Sequence, residues 1–381
     1  MVVAAGALAT AGCSSSSSSS TSASASGTAA ASSGAASGGL SVKQIVFGTT
    51  LKHKFQVDGK GPLKTGSLSQ PDDIVTLGGD LYAGFQNGVG SQGETATSGN
   101  TDSTLVEFTP SGSVVRQWDV KGKIDGLGAD TGTGQVIVTV NEDANSSLYT
   151  VSSGSAAATH YTYSPALAHK GGTDNVAYYG GKLLISASAP GTTGKAPASA
   201  PAVLAVTLNA GARTAAVAPF FADNATATAV NGPHAGKKVA LALTDPDSSE
   251  VIPPGSPASA GDYVLNSQGD EELIFSPVSG QNLQVLKINN SVDDSAWATS
   301  ASGTLYTTDS TSNTVDAITG SFTPGTVYTA VTPCNASSAP STCPGPGYPD
   351  NSLGTINLKT GVIDKVALSG PVNPKGLIFV P

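Results

Sequence analysis

Basic residues are scarce: only 18 of the 381 residues are Lys or Arg, against 27 Asp or Glu, and charged residues make up 12% of the chain. No Lys/Arg cluster exists to neutralise phosphates, so nucleic acid is excluded as a partner. A sustained helical period is missing as well, which excludes an all-helical or mixed fold. No G-x-S-x-G elbow occurs, and His53, His160, His169 and His234 stand in no nucleophile or metal-pair motif, which leaves nucleophilic catalysis little support. Cysteine is limited to Cys13, Cys334 and Cys343, with no second pair and no neighbouring His to make a zinc-type site.

What the chain has instead is punctuation. There are 46 Gly and 23 Pro, and between them lie short runs of Val, Ile, Thr, Tyr and Phe, the composition of many short strands joined by turns. Cys13 follows Leu8-Ala9-Thr10-Ala11-Gly12, small residues that suit a lipoprotein signal ending at a diacylated cysteine. The basic segment that opens such signals is absent, and the apolar stretch before Cys13 is short, which points to a start upstream of Met1. Residues 14–40 are almost wholly Ser, Ala, Gly and Thr and bury no apolar surface, so they read as a flexible tether. The expected organisation is a signal over 1–13, a tether over 14–40 and one domain over 41–381. Export permits a disulfide between Cys334 and Cys343, and closing that short Pro-rich loop adds about 2–3 kcal/mol.

Within the domain, short strands recur in fours. Gln70-Pro71-Asp72-Asp73-Ile74, Lys123-Ile124-Asp125-Gly126-Leu127, Gly172-Thr173-Asp174-Asn175-Val176 and Val292-Asp293-Asp294-Ser295-Ala296 each set Asp before an apolar run. A Gly-containing turn and a second strand follow each: Leu81-Tyr82, Val136-Ile137-Val138, Leu183-Leu184-Ile185 and Leu305-Tyr306. All-β units of about 50 residues with four strands each are propeller blades; a parallel β-helix would repeat at a much shorter period. Pro374–Val380 reads as the first strand of a blade whose missing strands come from Gln44–Gly48 and Leu51–Val57, so both termini close one blade and remove the exposed edges. The expectation is a six-bladed β-propeller, with seven as the alternative because 224–290 and 314–368 divide ambiguously.

This pattern resembles six-bladed propellers of the gluconolactonase/senescence-marker and NHL-repeat type. Phe85-Gln86-Asn87-Gly88-Val89-Gly90, Asn141-Glu142-Asp143-Ala144-Asn145-Ser146-Ser147, Gly171-Gly172-Thr173-Asp174, Thr244-Asp245-Pro246-Asp247 and Ser267-Gln268-Gly269-Asp270 carry a nearer resemblance. They are similar to a family of uncharacterised actinobacterial secreted propeller lipoproteins, which implies architecture and location but no activity.

In a propeller, the loop entering the first strand and the loop joining strands two and three lie on the same face. The entering loops carry Asp72, Asp73, Asp125, Asp174, Asp293 and Asp294. The second series carries Gln86-Asn87, Asn141-Glu142-Asp143, Ser186-Ala187-Ser188, Asp245-Pro246-Asp247 and Thr308-Asp309. Two motif series thus converge on one channel mouth. The resulting ligand face comprises Asp72, Asp73, Asn87, Asp143, Asp245, Asp247, Asp293, Asp294 and Asp309. Crowded carboxylates repel unless compensated, and hard oxygen ligands suit Ca²⁺ or Mg²⁺. The gluconolactonase resemblance implies such a metal, held by a Glu, an Asn and an Asp, for which Asn141, Glu142, Asp125 and Asp174 are the candidates. The competing reading is structural, since Asp and Asn before a strand cap backbone N–H groups and fix turns. Streptogramin-lyase-like propellers use His and Glu with Mg²⁺, a pair that only His169 and Glu142 could imitate. The aromatics Tyr82, Phe85, Trp118, Tyr149, Trp297 and Tyr306 fall at strand positions and read as packing between blades, with carbohydrate stacking as the other reading.

Two functions follow. The first is a monomeric, lipid-anchored binding or scaffold module at the outer face of the cell membrane, touching membrane only through Cys13 and recognising a small molecule, glycan or surface protein. The second is a divalent-metal-dependent hydrolase or lyase of the lactonase type. The enzyme reading lacks an identifiable acid/base pair.

Overall fold

The computed structural model describes residues 39–167, 171–188, 199–333 and 350–381. Cys13, His169, Cys334 and Cys343 lie outside the described residues, and with them the expected lipidation and disulfide. The described chain is all-β. It opens with β1 (Ser41–Phe47) and a hairpin of β2 (Lys52–Val57) and β3 (Lys60–Ser67). Three four-stranded antiparallel blades follow in sequence. They are β4–β7 (Pro71–Leu77, Asp80–Phe85, Asp102–Phe108, Val114–Lys121), β8–β11 (Ile124–Asp130, Gln135–Val140, Ser147–Ser152, Thr159–Ser164) and β12–β15 (Val176–Tyr179, Lys182–Ser186, Pro201–Asn209, Thr214–Ala222). The outermost strands β11 and β15 pair in parallel, joining blades two and three at the rim.

Blade four explains the longer sequence gap. Before its own strands come β16 (Thr226–Ala229) and β17 (Lys238–Ala240), added outside the fourth strand of that blade by a parallel pairing of β16 with β21. The blade itself is β18 (Pro246–Val251), β19 (Tyr263–Ser267), β20 (Glu272–Ser276) and β21 (Leu283–Lys287). Asp245-Pro246-Asp247 therefore enters an innermost strand. Its expected place in a loop between strands two and three is corrected, and Gln268-Gly269-Asp270 takes that place.

The last two blades interlock. The remaining strands are β22 (Val292–Trp297), β23 (Thr304–Asp309), β24 (Thr314–Thr319), β25 (Val327–Val331), β26 (Ser352–Ile356), β27 (Ile363–Lys365) and β28 (Leu377–Val380). Blade five is ordered β22-β25-β26-β27 and blade six β28-β23-β24-β1. The chain thus leaves blade five after its inner strand, builds the β23–β24 hairpin in blade six, and returns. Leu305-Tyr306 belongs not to the blade of Val292 but to its neighbour. The closing blade takes β1 from the N-terminal region and β28 from the C-terminal one, as expected, but Leu51–Val57 pairs with β3 instead.

Six blades, not seven, close the ring. One apolar core fills each of the six gaps between neighbouring blades; the gap between blades one and two, for example, holds Tyr82, Leu105, Trp118, Leu127 and Val138. Tyr82, Phe85, Trp118, Tyr149, Trp297 and Tyr306 are all buried, so these aromatics pack rather than stack on a ligand. The closing contact is tight. Gly376 donates its N–H to Asp72 O at 2.9 Å, and a Cβ there would lie 2.6 Å from that oxygen and 2.7 Å from Asp73 Cα. Gly376→Ala is therefore expected to cost about 2 kcal/mol or more, because backbone on the facing strand has no room to yield. Urea denaturation checks this, and a variant as stable as wild type would show that the seam is loose.

Candidate functional site

Four of the six inner strands enter the ring through the same local device. In β4, β8, β18 and β22 the register slips by one residue, between Pro71 and Ile74, Ile124 and Gly126, Pro246 and Ser249, and Val292 and Ser295. A bulge re-aims a side chain without ending the strand. The slips straddle Asp72, Asp125, Asp247 and Asp293, and the matching positions in blades three and six hold Asp174 and Lys375. The repeat is thus a ring of five Asp and one Lys, all lining a cavity of about 220 Å³ at the channel mouth. Lys123, Glu142, Asp245 and Gln268 complete its rim.

The next residue of each strand has a different task. Asp73 is buried and accepts Ile74 N–H and Leu127 N–H, both at 2.6 Å. Asp294 repeats this, accepting Ser295 N–H and Leu377 N–H at 2.7 Å. Each carboxylate pins its own strand to the inner strand of the next blade. Asn175 bridges Asp73 and Ser249. These three residues separate the mouth from a second cavity of about 190 Å³ further down the channel, which also holds Glu250 amid Val75, Leu127, Val176 and Val251. Burial pushes Asp73, Glu250 and Asp294 up, Asp294 to about 7, and neighbouring carboxylates add to it: Asp294 at Asp73 and Glu250, Asp293 and Asp72 at Asp294.

At the mouth, two lysines divide the charge. Lys375 lies 3.3 Å from Asp72 and 3.1 Å from Asp293, whose other oxygen accepts Gln268 Nε2–H at 2.8 Å. Lys123 lies 2.8 Å from Asp125 and also pairs with Glu142. Both ammoniums are held above their ordinary range by the carboxylates around them. Among the described residues no lysine forms an ion pair with Asp174 or Asp247. Burial raises both; with the charges of Glu142 and Asp72 it takes Asp174 to about 8, and the charges of Asp174 and Asp293 together with the bond to Asp174 raise Asp247, so the pair holds a proton in neutral solution. Burial and the charge of Glu142 raise Asp245 to about 6.

The expected metal set does not assemble. Asn141 spends its amide on backbone, accepting Lys123 N–H at 3.0 Å and donating to Asn145 O at 3.1 Å. Asp125 is filled by Lys123, Gln86 and Glu142 N–H. Among the described residues no three His, Cys, Asp or Glu side chains are placed to hold a metal ion. The ammonium of Lys123 stands where a cation was expected. Two members of the expected ligand face are also structural. Asn87 accepts Ser69 N–H at 3.0 Å and Asp309 accepts Ser312 N–H and Asn373 N–H, both in buried positions. Asp143 bonds Ser91 and does not line the cavity. Lys123, Lys375 and Gln268 are the site residues that the acidic pattern did not reveal. Aligning Pro374-Lys375-Gly376 with Pro71-Asp72-Asp73 would have found the second.

No family model matches the chain, and no curated protein matches it. Solved structures do. The chain is 12% identical to a structural-genomics protein of unknown function from Bacteroides thetaiotaomicron, over 87% of this chain and 64% of that one, with a TM-score of 0.42; it thus spans less than two thirds of that protein. It is 12% identical to a streptogramin B lyase, over 86% of this chain and 91% of that one, with a TM-score of 0.40. It is 8% identical to the WD40 propeller domain of Doa1, over 84% and 86%, with a TM-score of 0.38. The ring of six sheets, not these likenesses, establishes the propeller here.

Proposed function

We propose that the protein is an exported, lipid-anchored binding module that holds a cationic group of its ligand in the channel mouth. The observation that carries this is charge: nine carboxylates and two lysines line one cavity of about 220 Å³. A cavity so lined favours positive charge and rejects anions. The described chain enters the propeller at Leu40 and Ser41, beside Gly320 and Thr319, on the face opposite the mouth. The ligand that carries the cationic group is a small molecule, a glycan or a surface protein.

Binding is tested by thermal shift against organic cations and their neutral analogues. Cations are expected to raise the midpoint by mass action and neutral analogues to leave it unchanged; equal effects would remove the electrostatic reading. EDTA is expected to leave the midpoint where it is, and a fall that added Ca²⁺ reverses would restore the metal-dependent lactonase-type reading. Anchoring has its own test. Cys13→Ser is expected to release the protein from membranes, and a variant that stays bound refutes the lipid.

A further inference from the structure

The lysines form two clamps of one kind, an ammonium between two carboxylates: Asp72–Lys375–Asp293 and Asp125–Lys123–Glu142. The third neighbouring pair at this level, Asp174 and Asp247, has the carboxylates without the ammonium. Asp174 is 7% exposed, and among the described residues no amide, hydroxyl or ammonium reaches its carboxylate; its partner is Asp247. Asp247 Oδ2 is buried and, among the described residues, accepts from no donor. A buried carboxylate oxygen left this way carries a desolvation cost that a ligand's donors remove.

We propose that Asp174 and Asp247 seat a primary alkylammonium group of the ligand, the chemistry of a lysine side chain or an aliphatic diamine, which completes a third clamp. This rests on the cation-binding reading above and narrows it. A primary ammonium carries three N–H donors; Asp174 and Asp247 take two, and Asp245, which lines the same cavity, is the acceptor for the third. A quaternary ammonium has no such donors, and among the described residues no aromatic side chain lines the mouth to hold it by its faces. The groups facing the pair are Glu142, Asp72 and Lys123 toward Asp174, and Asp293, Asp245 and Lys375 toward Asp247. The lysines are already paired, so the incoming charge replaces the proton that the two acids share. One proton leaves to solvent for each ammonium seated.

The test is calorimetry on the full chain near pH 7 with 1,4-diaminobutane and with Nα-acetyl-lysinamide, each in phosphate and in HEPES, whose different ionisation heats count protons released. Tetramethylammonium and Ca²⁺ are the controls. The expected result is binding of one or both amines with release of about one proton, and a loss of at least about tenfold in affinity together with that release in Asp247→Asn. Binding by the lysine derivative alone points to a protein partner, and by the diamine alone to a small molecule. Asp174→Asn repeats the readout should Asp247→Asn fold poorly. Amine binding without proton release, or binding of tetramethylammonium or Ca²⁺ as tight as the amines, overturns the seat but leaves the cationic reading standing. Failure of every cation to bind overturns both.

Discussion

Between about pH 6.5 and about pH 8 the propeller is expected to lose about 2–3 kcal/mol of stability, the opposite of the usual behaviour of salt-bridged carboxylates. The cause is the acid pair at the mouth. In the folded chain, burial and the charges of Glu142 and Asp72 hold Asp174 up to about 8, whereas an unfolded Asp releases its proton near about 4. The folded state therefore binds more protons across that window. A raised acid contributes its full stability below the unfolded value, and the contribution is lost as pH rises through the folded one. Asp294, raised to about 7, and Asp245, raised to about 6, act in the same direction. His53 and His160, both lowered by burial, act oppositely but only below about 6.5, outside the window. In Asp247→Asn one raised acid of the pair is gone and the amide donates to Asp174 with no proton to lose, so the slope is shallower and the variant is more stable than wild type at the alkaline end. Urea titrations at fixed pH values check both. A flat wild-type profile would mean that the pair does not share a proton.

Asp73→Ala is expected to cost about 3–5 kcal/mol, the largest single-residue effect at the ring, because it strips two buried N–H groups of their acceptor at about 1–3 kcal/mol each. Those groups belong to Ile74 and Leu127, so the loss falls on the joint between blades one and two. Asp73→Asn keeps one acceptor oxygen and relieves the repulsion from Asp294, so about 1–2 kcal/mol is expected. Chemical denaturation separates the two variants. If both stay within about 1 kcal/mol of wild type, the carboxylate is not a staple.

The architecture was legible because blade entry has a chemical signature that composition exposes: Asp at a register slip, then a short apolar run. It was also the source of the error at the site. One residue type serves two purposes a single position apart, so the sequence could not separate the channel-lining Asp72 and Asp293 from the backbone-capping Asp73 and Asp294. Asn141 misled in the same way; its left-handed backbone, with φ of 70°, marks a turn residue, which a list of oxygen donors does not show. Lys375 escaped because it breaks the acidic pattern at the very position that defines it. The interlocked blades were hidden for another reason. β22 and β23 are separated by a short connection of ordinary length, and nothing local distinguishes a turn within a blade from one that crosses to the next.

That crossing constrains how such a ring could have grown. Propellers lengthen when one contiguous stretch of gene, encoding a whole blade, is duplicated or lost. Blades one to four satisfy this, each being an unbroken segment. Neither of the last two does, since the hairpin Thr304–Thr319 is embedded between the first and second strands of blade five while forming the middle of blade six. No single excision removes either one cleanly.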